Sequence, residues 1–337
     1  MDWFERLVEF RETDYAATKA NLEVIGDRLH SRVSGRSYGI GTFELASLRT
    51  LRERVQQGGG VSGKLRVGIA SGDVRSLHRS QEFEGALFQV ASQFNMLEMV
   101  SPCVTPEMGV TRYEHDPTQG PGCAIAAGAA TIYRNYFVPV GDGYGQTSAR
   151  QLDGLTAVGH ALSAALGMPV DTLWSMRNGY AMCSRPGLEA IAAHLATRNP
   201  QQVDDLRGEL AIGIHRDVEV TDSSAECLPK VSQAFCSALP VANSSVPAVV
   251  WAPFATLVLE AAYEATIWAA VLNAQQGGSN LVLLTRVGGG VFGNHDAWID
   301  VAMRRALRQA SGFGLDVRIV SHRAPLPSTL RLVEEFR

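Results

Sequence analysis

Residues 288–293 read Gly-Gly-Gly-Val-Phe-Gly, between the apolar run 281–284 and a segment with the pattern of a helix. Glycine has no Cβ, so several backbone N–H groups of such a loop can approach one ligand closely. A helix that begins behind the loop adds partial positive charge, and this combination suits a phosphate group. We therefore predict that phosphate is bound by the backbone of Gly288, Gly289, Gly290, Val291, Phe292, Gly293 and Asn294.

The same letters also satisfy G-x-G-x-x-G, the pattern of Rossmann dinucleotide sites. In those sites an acidic residue follows about 20 residues later, at the end of the next strand. Here the next predicted strand, 315–322, ends instead in Ser321 and His322, and Arg323 follows. An NAD site of this kind is therefore a less favoured alternative. A glycine turn without a ligand is another, although three adjacent glycines are costly to order and a plain turn needs one.

Polar residues stand at the ends of two earlier predicted strands, 65–74 and 85–95. In open α/β sheets, ligands bind where the carboxyl ends of the strands meet. Asp73 could accept a hydrogen bond from an adenine amine while the Val74 N–H meets a ring nitrogen, or it could cap a helix. Asn95 could bind ribose hydroxyls, or it could be a buried amide satisfied by the backbone.

The segment 101–128 contains the remaining candidates for chemistry. One of the acids Glu107, Glu114 and Asp116 could act as a general base on water. Gln119 could orient that water or a hydroxyl, and Gly120 beside it could let a ligand approach a helix start. The alternative for each acid is a solvated loop position. We take Glu107, Asp116 and Gln119 as catalytic candidates and Gly120 as a ligand-binding candidate.

The stretches "VGIASGDVRSL", "LFQVASQFNML" and "GGGVFG" follow one another in an order that resembles the macrodomain, an ADP-ribose-binding module. The resemblance implies that Asp73 receives the adenine amine, Asn95 the distal ribose and the late loop the diphosphate. Three features depart from the family. Ser92 replaces its first asparagine, the glycine loop expected after Asn95 is missing, and the aspartate of hydrolytic macrodomains has no clear counterpart. These departures put hydrolysis in doubt more than binding.

Three further segments, "SQFNMLEM", "TQGPGCAIAAGAATIYRNYF" and "QAFCSALPVA", resemble full-length bacterial and eukaryotic proteins of unassigned role. Strand and helix patterns alternate along the chain, which predicts an α/β fold. The macrodomain resemblance implies a three-layer α/β/α arrangement around a mixed sheet. Helical spacing near the start and the glycine-rich stretch 57–64 predict an N-terminal helical extension, 1–62, before a macrodomain-like domain, 63–337.

The chain has 337 residues, a net charge of -4, 46% hydrophobic and 19% charged residues. This composition is typical of globular proteins, and the charge gives no strong nucleic-acid signal. Five cysteines without a C-x-x-C pair predict no structural zinc and favour a reducing, cytoplasmic location. We interpret the apolar stretch 246–275 as a buried helix and expect no membrane partner. We predict no cofactor.

These observations predict a protein that binds ADP-ribose or a related nucleotide diphosphate. Its partner would be ADP-ribose or an ADP-ribosylated macromolecule. As an enzyme it would hydrolyse an ADP-ribosyl linkage at the distal ribose, in the manner of a macrodomain-type ADP-ribosyl hydrolase. The alternative is a non-catalytic reader or sensor of ADP-ribose or NAD metabolites, and the sequence leaves the choice between the two open.

Overall fold

The computed structural model describes residues 1–58 and 61–337. Its strands, in chain order, are β1 Leu22–Ile25, β2 Arg28–Ser31, β3 Ser37–Gly39, β4 Thr42–Ser47, β5 Arg66–Ser71, β6 Leu87–Ala91, β7 Pro139–Val140, β8 Gly143–Tyr144, β9 Trp174–Arg177, β10 Tyr180–Cys183, β11 Ala211–Glu219, β12 Lys230–Cys236, β13 Leu281–Leu284 and β14 Asp316–Ser321. Its helices are α1 Trp3–Val8, α2 Tyr15–Ala20, α3 Leu48–Gln57, α4 Val74–Arg79, α5 Gln119–Ala126, α6 Gly128–Tyr136, α7 Thr156–Leu166, α8 Val170–Leu173, α9 Arg185–Ala196, α10 Pro200–Gly208, α11 Ala248–Gln275, α12 Asp296–Gln309 and α13 Pro327–Glu335. Short 3-10 turns cover Gln81–Phe83, Pro106–Met108, Thr111–His115 and Val241–Asn243.

Within these residues, seven strands form the main sheet in the order β4-β11-β12-β6-β13-β14-β5. The pairs β4/β11 and β11/β12 are antiparallel, and every pair from β12 to β5 is parallel. The carboxyl ends of β12, β6 and β13 therefore lie side by side at one edge of the sheet. That edge is where an open α/β sheet binds its ligands.

Helices cover both faces of this sheet. Leu87 of β6 packs in the core cluster that surrounds α11, whereas Phe88 packs in the cluster that contains residues of α4 to α6. This alternation is the two-residue period of a strand with both faces buried. The predicted α/β class, with three layers around a mixed sheet, is confirmed.

Helix α11 is the centre of the larger core cluster and carries Pro253 near its start. Among the described residues it is the helix long and apolar enough to cross a membrane by length and composition, and 89% of its most apolar window is buried in this fold. Pro253 is the sixth residue of the helix, in its second turn, so its missing N–H leaves one i→i−4 hydrogen bond, to Val249 O, unmade. The interpretation of 246–275 as a buried helix agrees with this position.

The N-terminal region differs from the helical extension expected from its spacing. Residues 22–47 form four strands in the described structure, and β4 pairs with β11 as an edge strand of the main sheet. Apolar residues in short segments do not distinguish a helix from a strand by their spacing alone. The boundary at 62/63 stays a prediction, and Gly59 and Gly60 of the glycine-rich stretch lie outside the described residues.

Candidate functional site

A cavity of about 160 Å³ opens at the carboxyl ends of β6, β12 and β13. Five groups of residues line it: the ends of these strands, the segment after β6, the start of α5, Tyr180 of β10, and the glycine-rich loop after β13. In chain order they include Ala91, Ser92, Gln93, Glu98, Met99, Val100, Asp116, Thr118, Gln119, Gly120, Pro121, Tyr180, Ala238, Thr285, Arg286, Val287, Gly288, Gly290, Val291 and Phe292.

The glycine-rich loop is fixed by its own backbone and by buried side chains. Gly288 and Gly293 have φ values of +76° and +69°, which L-residues with a Cβ rarely adopt. The amide of Asn294 donates to Leu239 O at 2.9 Å, and the Val287 N–H donates to the Tyr263 hydroxyl at 2.9 Å. The loop is therefore held in shape before any ligand arrives.

Some amides of this loop are used internally and others are free. The N–H groups of Gly289, Gly293 and Asn294 donate to loop carbonyls at 3.1, 3.0 and 2.9 Å. In the described part of the chain, four other loop amides have no protein acceptor. They belong to Gly288, Gly290, Val291 and Phe292, and all four residues line the cavity. Consecutive free N–H groups of this kind form an anion-binding concavity.

The start of helix α5 forms part of the cavity wall. Thr118 precedes it without a side-chain cap, so its first N–H groups are available to a ligand. A Cβ at Gly120 would overlap Ala91 O and the Glu98 carboxylate, so glycine is needed for this close approach. Gln119 ties the helix to β6, because its amide accepts from Ala91 N at 2.9 Å and donates to Gln89 O at 3.0 Å.

The turn after β6 presents Glu98 to the cavity. The Gln93 side chain accepts the Met99 N–H at 2.6 Å, and the Asn95 side chain accepts the Leu97 N–H at 3.1 Å. Met96, between them, has a φ of +62°. The Glu98 N–H donates to the Tyr113 hydroxyl at 3.0 Å. These contacts place a carboxyl group that is 3% exposed on the cavity wall.

Burial raises the pKa of Glu98 well above its ordinary value, and nearby Asp116 raises it further. The buried Arg134 guanidinium opposes the rise. One carboxyl oxygen, Oε1, is buried and has no hydrogen-bond partner in the described residues. Arg134 is engaged elsewhere: it donates to Met96 O at 3.2 Å and lies 3.8 Å from the centroid of the Phe235 ring. Burial therefore favours the protonated form of Glu98, and its Oε1 has capacity for one more hydrogen-bond partner.

An aromatic pair forms another part of the cavity wall. The rings of Tyr180 and Phe292 lie 5.1 Å apart at 48°, and the Tyr180 hydroxyl donates to Met99 O at 2.6 Å. Phe292 is half-buried, so its ring offers an apolar surface to a ligand beside the free amides of the loop. A sugar ring can pack on such a surface while its phosphate meets the loop.

The structure brings several residues predicted from the sequence together at this cavity. They are Asp116, Gln119, Gly120, Gly288, Gly290, Val291 and Phe292. Asp116 accepts the Thr118 N–H at 2.9 Å through Oδ1. The Gln119 amide is occupied by β6 and α5, so its geometry is that of a helix anchor rather than of a group that orients water. Gly289, Gly293 and Asn294 lie outside the lining and hold the loop in shape through their backbone hydrogen bonds.

Besides Gly289, Gly293 and Asn294, four other predicted residues lie outside the cavity lining. Asp73 caps α4, accepting from Arg75 N and Ser76 N at 3.0 and 3.2 Å, and Val74 is buried in the first turn of that helix. Asn95 is fully buried, and its amide donates to Gln151 at 2.8 Å. Glu107 accepts from the Ser148 N–H and hydroxyl at 2.8 and 2.9 Å. For these residues the structural alternatives, capping and hydrogen bonding within the fold, describe the observed geometry.

Sequence reasoning missed Glu98, Gln93, Tyr180 and Arg286, all of which line the cavity. A signal for Glu98 was available. It is the one acid in the apolar stretch 96–100, immediately after a strand end, and an acid in that setting is a candidate for a perturbed pKa. Tyr180 and Arg286 carried no such signal, because their approach to the cavity depends on the tertiary fold.

In residues 1–58 and 61–337, no group of three or more His, Cys, Asp or Glu side chains is arranged to hold a metal ion. The cavity offers backbone donors and one or two carboxyl groups instead.

No family model and no curated protein sequence matches this chain. Among solved structures, the chain is similar to poly(ADP-ribose) glycohydrolase from Thermomonospora curvata, with 14% identity, a TM-score of 0.45 and coverage of 92% of this chain and 94% of that one. It is also similar to the Deinococcus radiodurans enzyme in complex with ADP-ribose, with 11% identity, a TM-score of 0.47 and coverage of 88% and 95%. At these identities and TM-scores, the similarities carry no argument about the activity of this chain.

Proposed function

We propose that this protein binds ADP-ribose, or a closely related nucleotide diphosphate, and hydrolyses an ADP-ribosyl linkage at the distal ribose. The observation that carries the proposal is the pairing of free loop amides with a buried acid in one cavity. The backbone amides of Gly288 and 290–292 suit an anionic group, and Glu98 lines the same cavity. A sugar carrying a phosphate is a ligand that uses both.

Binding would follow from charge and shape. The diphosphate would lie between the loop amides and the start of α5, where the partial positive charge of two backbone elements converges. The cavity volume of about 160 Å³ is below the roughly 300 Å³ at which ligand pockets usually begin. One ribose and its phosphate would therefore occupy the interior, and the adenosine end would extend along the open side.

Hydrolysis would use two carboxyl groups in different environments. The Glu98 carboxyl, whose pKa is raised by burial, would donate its proton to the leaving oxygen at the anomeric carbon. Asp116 is half-buried at the cavity and would accept a proton from the attacking water. The bond from the anomeric carbon to the leaving oxygen breaks, and a bond to the water oxygen forms. Free ADP-ribose and a protonated leaving group are the products.

Binding is tested by a thermal-shift titration with ADP-ribose, ADP, AMP and NAD on the wild type and on Gly290→Asp. A Cβ at Gly290 meets no atom within 4 Å, so the added carboxylate enters the anion site without a clash. Gly289 is less suitable, because a Cβ there would lie 2.9 Å from Ile299 Cδ1. ADP-ribose at 100-fold its dissociation constant should stabilise the wild type by roughly 2.7 kcal/mol. Gly290→Asp should lose this shift.

The matched control is Gly312→Asp, since Gly312 also has open space around its Cβ and lies outside the cavity lining. It should keep the wild-type shift. Equal shifts in both variants would contradict the proposed anion site. Turnover is measured separately on an ADP-ribosylated protein. ADP-ribose binding without turnover would indicate a non-catalytic reader of ADP-ribose rather than a hydrolase. The absence of a thermal shift with every nucleotide would exclude both functions.

A further inference from the structure

The segment 96–118 supplies Glu98 and Asp116 to the cavity but contains no α-helix or strand in the described structure. Two 3-10 turns, Pro106–Met108 and Thr111–His115, interrupt it. A segment of this length that must hold two carboxyl groups in place needs fixed contacts from outside itself. The N-terminal region provides them.

Glu12 is the central contact. Its Oε1 accepts the Val110 N–H at 2.9 Å, and its Oε2 accepts the Thr111 N–H at 2.7 Å. The Tyr136 hydroxyl donates to Oε1 at 2.8 Å. Burial raises the pKa of Tyr136, and the Glu12 charge raises it further, so the hydroxyl stays a donor. Both carboxylate oxygens are thus committed to fixed donors, two of them in the segment.

Gly109 provides an independent sign of this approach. Its φ is +78°, and a Cβ built on it would overlap the Glu12 carboxylate. The backbone at 109 therefore fits around this side chain. Trp3 adds a second attachment, because its ring N–H donates to Thr111 O and its backbone N–H donates to Glu114, each at 3.2 Å.

A series of contacts links Glu12 to Glu98 through Tyr113. Val110 and Thr111 begin the 3-10 turn that contains Tyr113, and the Tyr113 hydroxyl accepts the Glu98 N–H at 3.0 Å. Tyr113 is fully buried, so its ring moves only with the segment. We propose that Glu12 is a positioning residue that fixes segment 96–118 and, through Tyr113, holds Glu98 at the cavity. This proposal rests on the proposed function for its catalytic consequence.

The test compares the wild type with Glu12→Gln. An amide has one acceptor oxygen and an NH2 group, so it cannot accept both N–H groups and would turn a donor toward one of them. Hydrogen exchange at the Val110 and Thr111 amides should become roughly five- to tenfold faster. The kcat for ADP-ribosyl hydrolysis should fall between roughly 10- and 100-fold. The Kd for ADP-ribose should stay within about twofold, because the loop amides that bind phosphate receive no contact from Glu12.

Gly109→Ala approaches the same contact from the segment and should give the same pattern. Glu23→Gln is the matched control, since Glu23 is also in the N-terminal region but its side chain pairs with Arg32, at 2.9 Å. It should leave exchange at 110 and 111, kcat and Kd unchanged.

Unchanged exchange at 110 and 111 in Glu12→Gln would overturn the proposal. So would a parallel loss of kcat and ADP-ribose affinity, which indicates general destabilisation. Failure of the proposed function is recognised separately, as a wild type that neither binds nor hydrolyses. In that case faster exchange at 110 and 111, transmitted to the Glu98 amide, still supports the positioning contact, and its absence still refutes it.

Discussion

At the scale of single residues, Glu98 and the loop amides differ in what fixes them. The free N–H groups of residues 290–292 follow from a local backbone shape that the glycines allow. Glu98 depends on side chains from elsewhere in the turn and on Tyr113. Burial raises the pKa of its carboxyl, and replacing it with a group that cannot ionise has opposite consequences for activity and for stability.

We expect Glu98→Gln to lower the rate of hydrolysis by about 10²–10⁴ while ADP-ribose binding is retained. Its stability should depend on pH in a defined direction. Because the pKa of Glu98 is raised in the fold, the unfolded chain loses this proton first as pH rises above the ordinary value of 4.5. The free energy of unfolding of the wild type therefore decreases as pH rises through this range. The variant does not lose this contribution, because Gln does not ionise. The Tm of Glu98→Gln minus that of the wild type should increase as pH rises above about 4.5.

Glu107→Gln is a control with the opposite sign. Burial raises the pKa of Glu107, but hydrogen bonds from Ser148 outweigh it and the pKa is lowered. Its contribution to stability is present above the ordinary pKa and lost as pH falls, so the variant should become less stable than the wild type as pH rises. Parallel Tm curves for both variants would contradict the environments assigned to these two acids.

At the scale of elements, four helices on one face of the sheet meet at a buried carboxylate. Glu264 of α11 has a side chain that is 1% exposed and pairs with Arg52 of α3 and Arg305 of α12. Both arginines also reach Asp204 of α10. A charged group is costly to bury, and it is tolerated here because its oxygens have partners, including the Trp268 ring N–H at 2.9 Å.

We expect Glu264→Ala to lower the free energy of unfolding by roughly 3–5 kcal/mol, since it leaves two arginines without this partner. The measurement is urea denaturation with the m-value compared between variants. Glu189→Ala removes an exposed pair with Arg185 on α9 and should cost less than about 1 kcal/mol. Similar costs for the two substitutions would mean that the buried network does not tie the helices together.

At the scale of the whole molecule, the N-terminal region is built into the sheet and into the site. β4 is the edge strand beside β11, and α3 packs on α11 with Leu48 and Leu51 fully buried. Removing these elements would expose the β11 edge and part of the larger core.

A chain of residues 63–337 should therefore aggregate or unfold without cooperativity in a thermal melt followed by circular dichroism. A chain of residues 42–337, which keeps β4 and α3, should unfold cooperatively at a temperature below that of the full chain, because the cluster around Trp3 and Phe4 is lost. A stable 63–337 chain with the full-length Tm would restore the boundary predicted from the sequence.

Local sequence patterns were enough to predict the alternation of strands and helices, the buried helix α11, and the loop 288–293 with its position after a strand. These features depend on local periodicity and on glycine, which are readable along the chain. The predicted strand 85–95 corresponds to β6, which ends at Ala91. Residues 92–95 belong instead to the turn that carries Glu98. Residues 119–136 form two helices that meet at Ala127, and residues 174–183 form the hairpin β9–β10.

The polar residues that share the cavity could be recognised only once the chain was folded. Asp73 and Asn95 follow strands, as ligand-binding residues do. The Oδ1 atom of each nevertheless accepts a hydrogen bond from a backbone N–H two residues further along the chain. Glu98, Tyr180 and the Glu12 contact come together from distant parts of the chain. Burial, which sets the protonation of Glu98, is a property of the packed molecule and is absent from any single stretch of sequence.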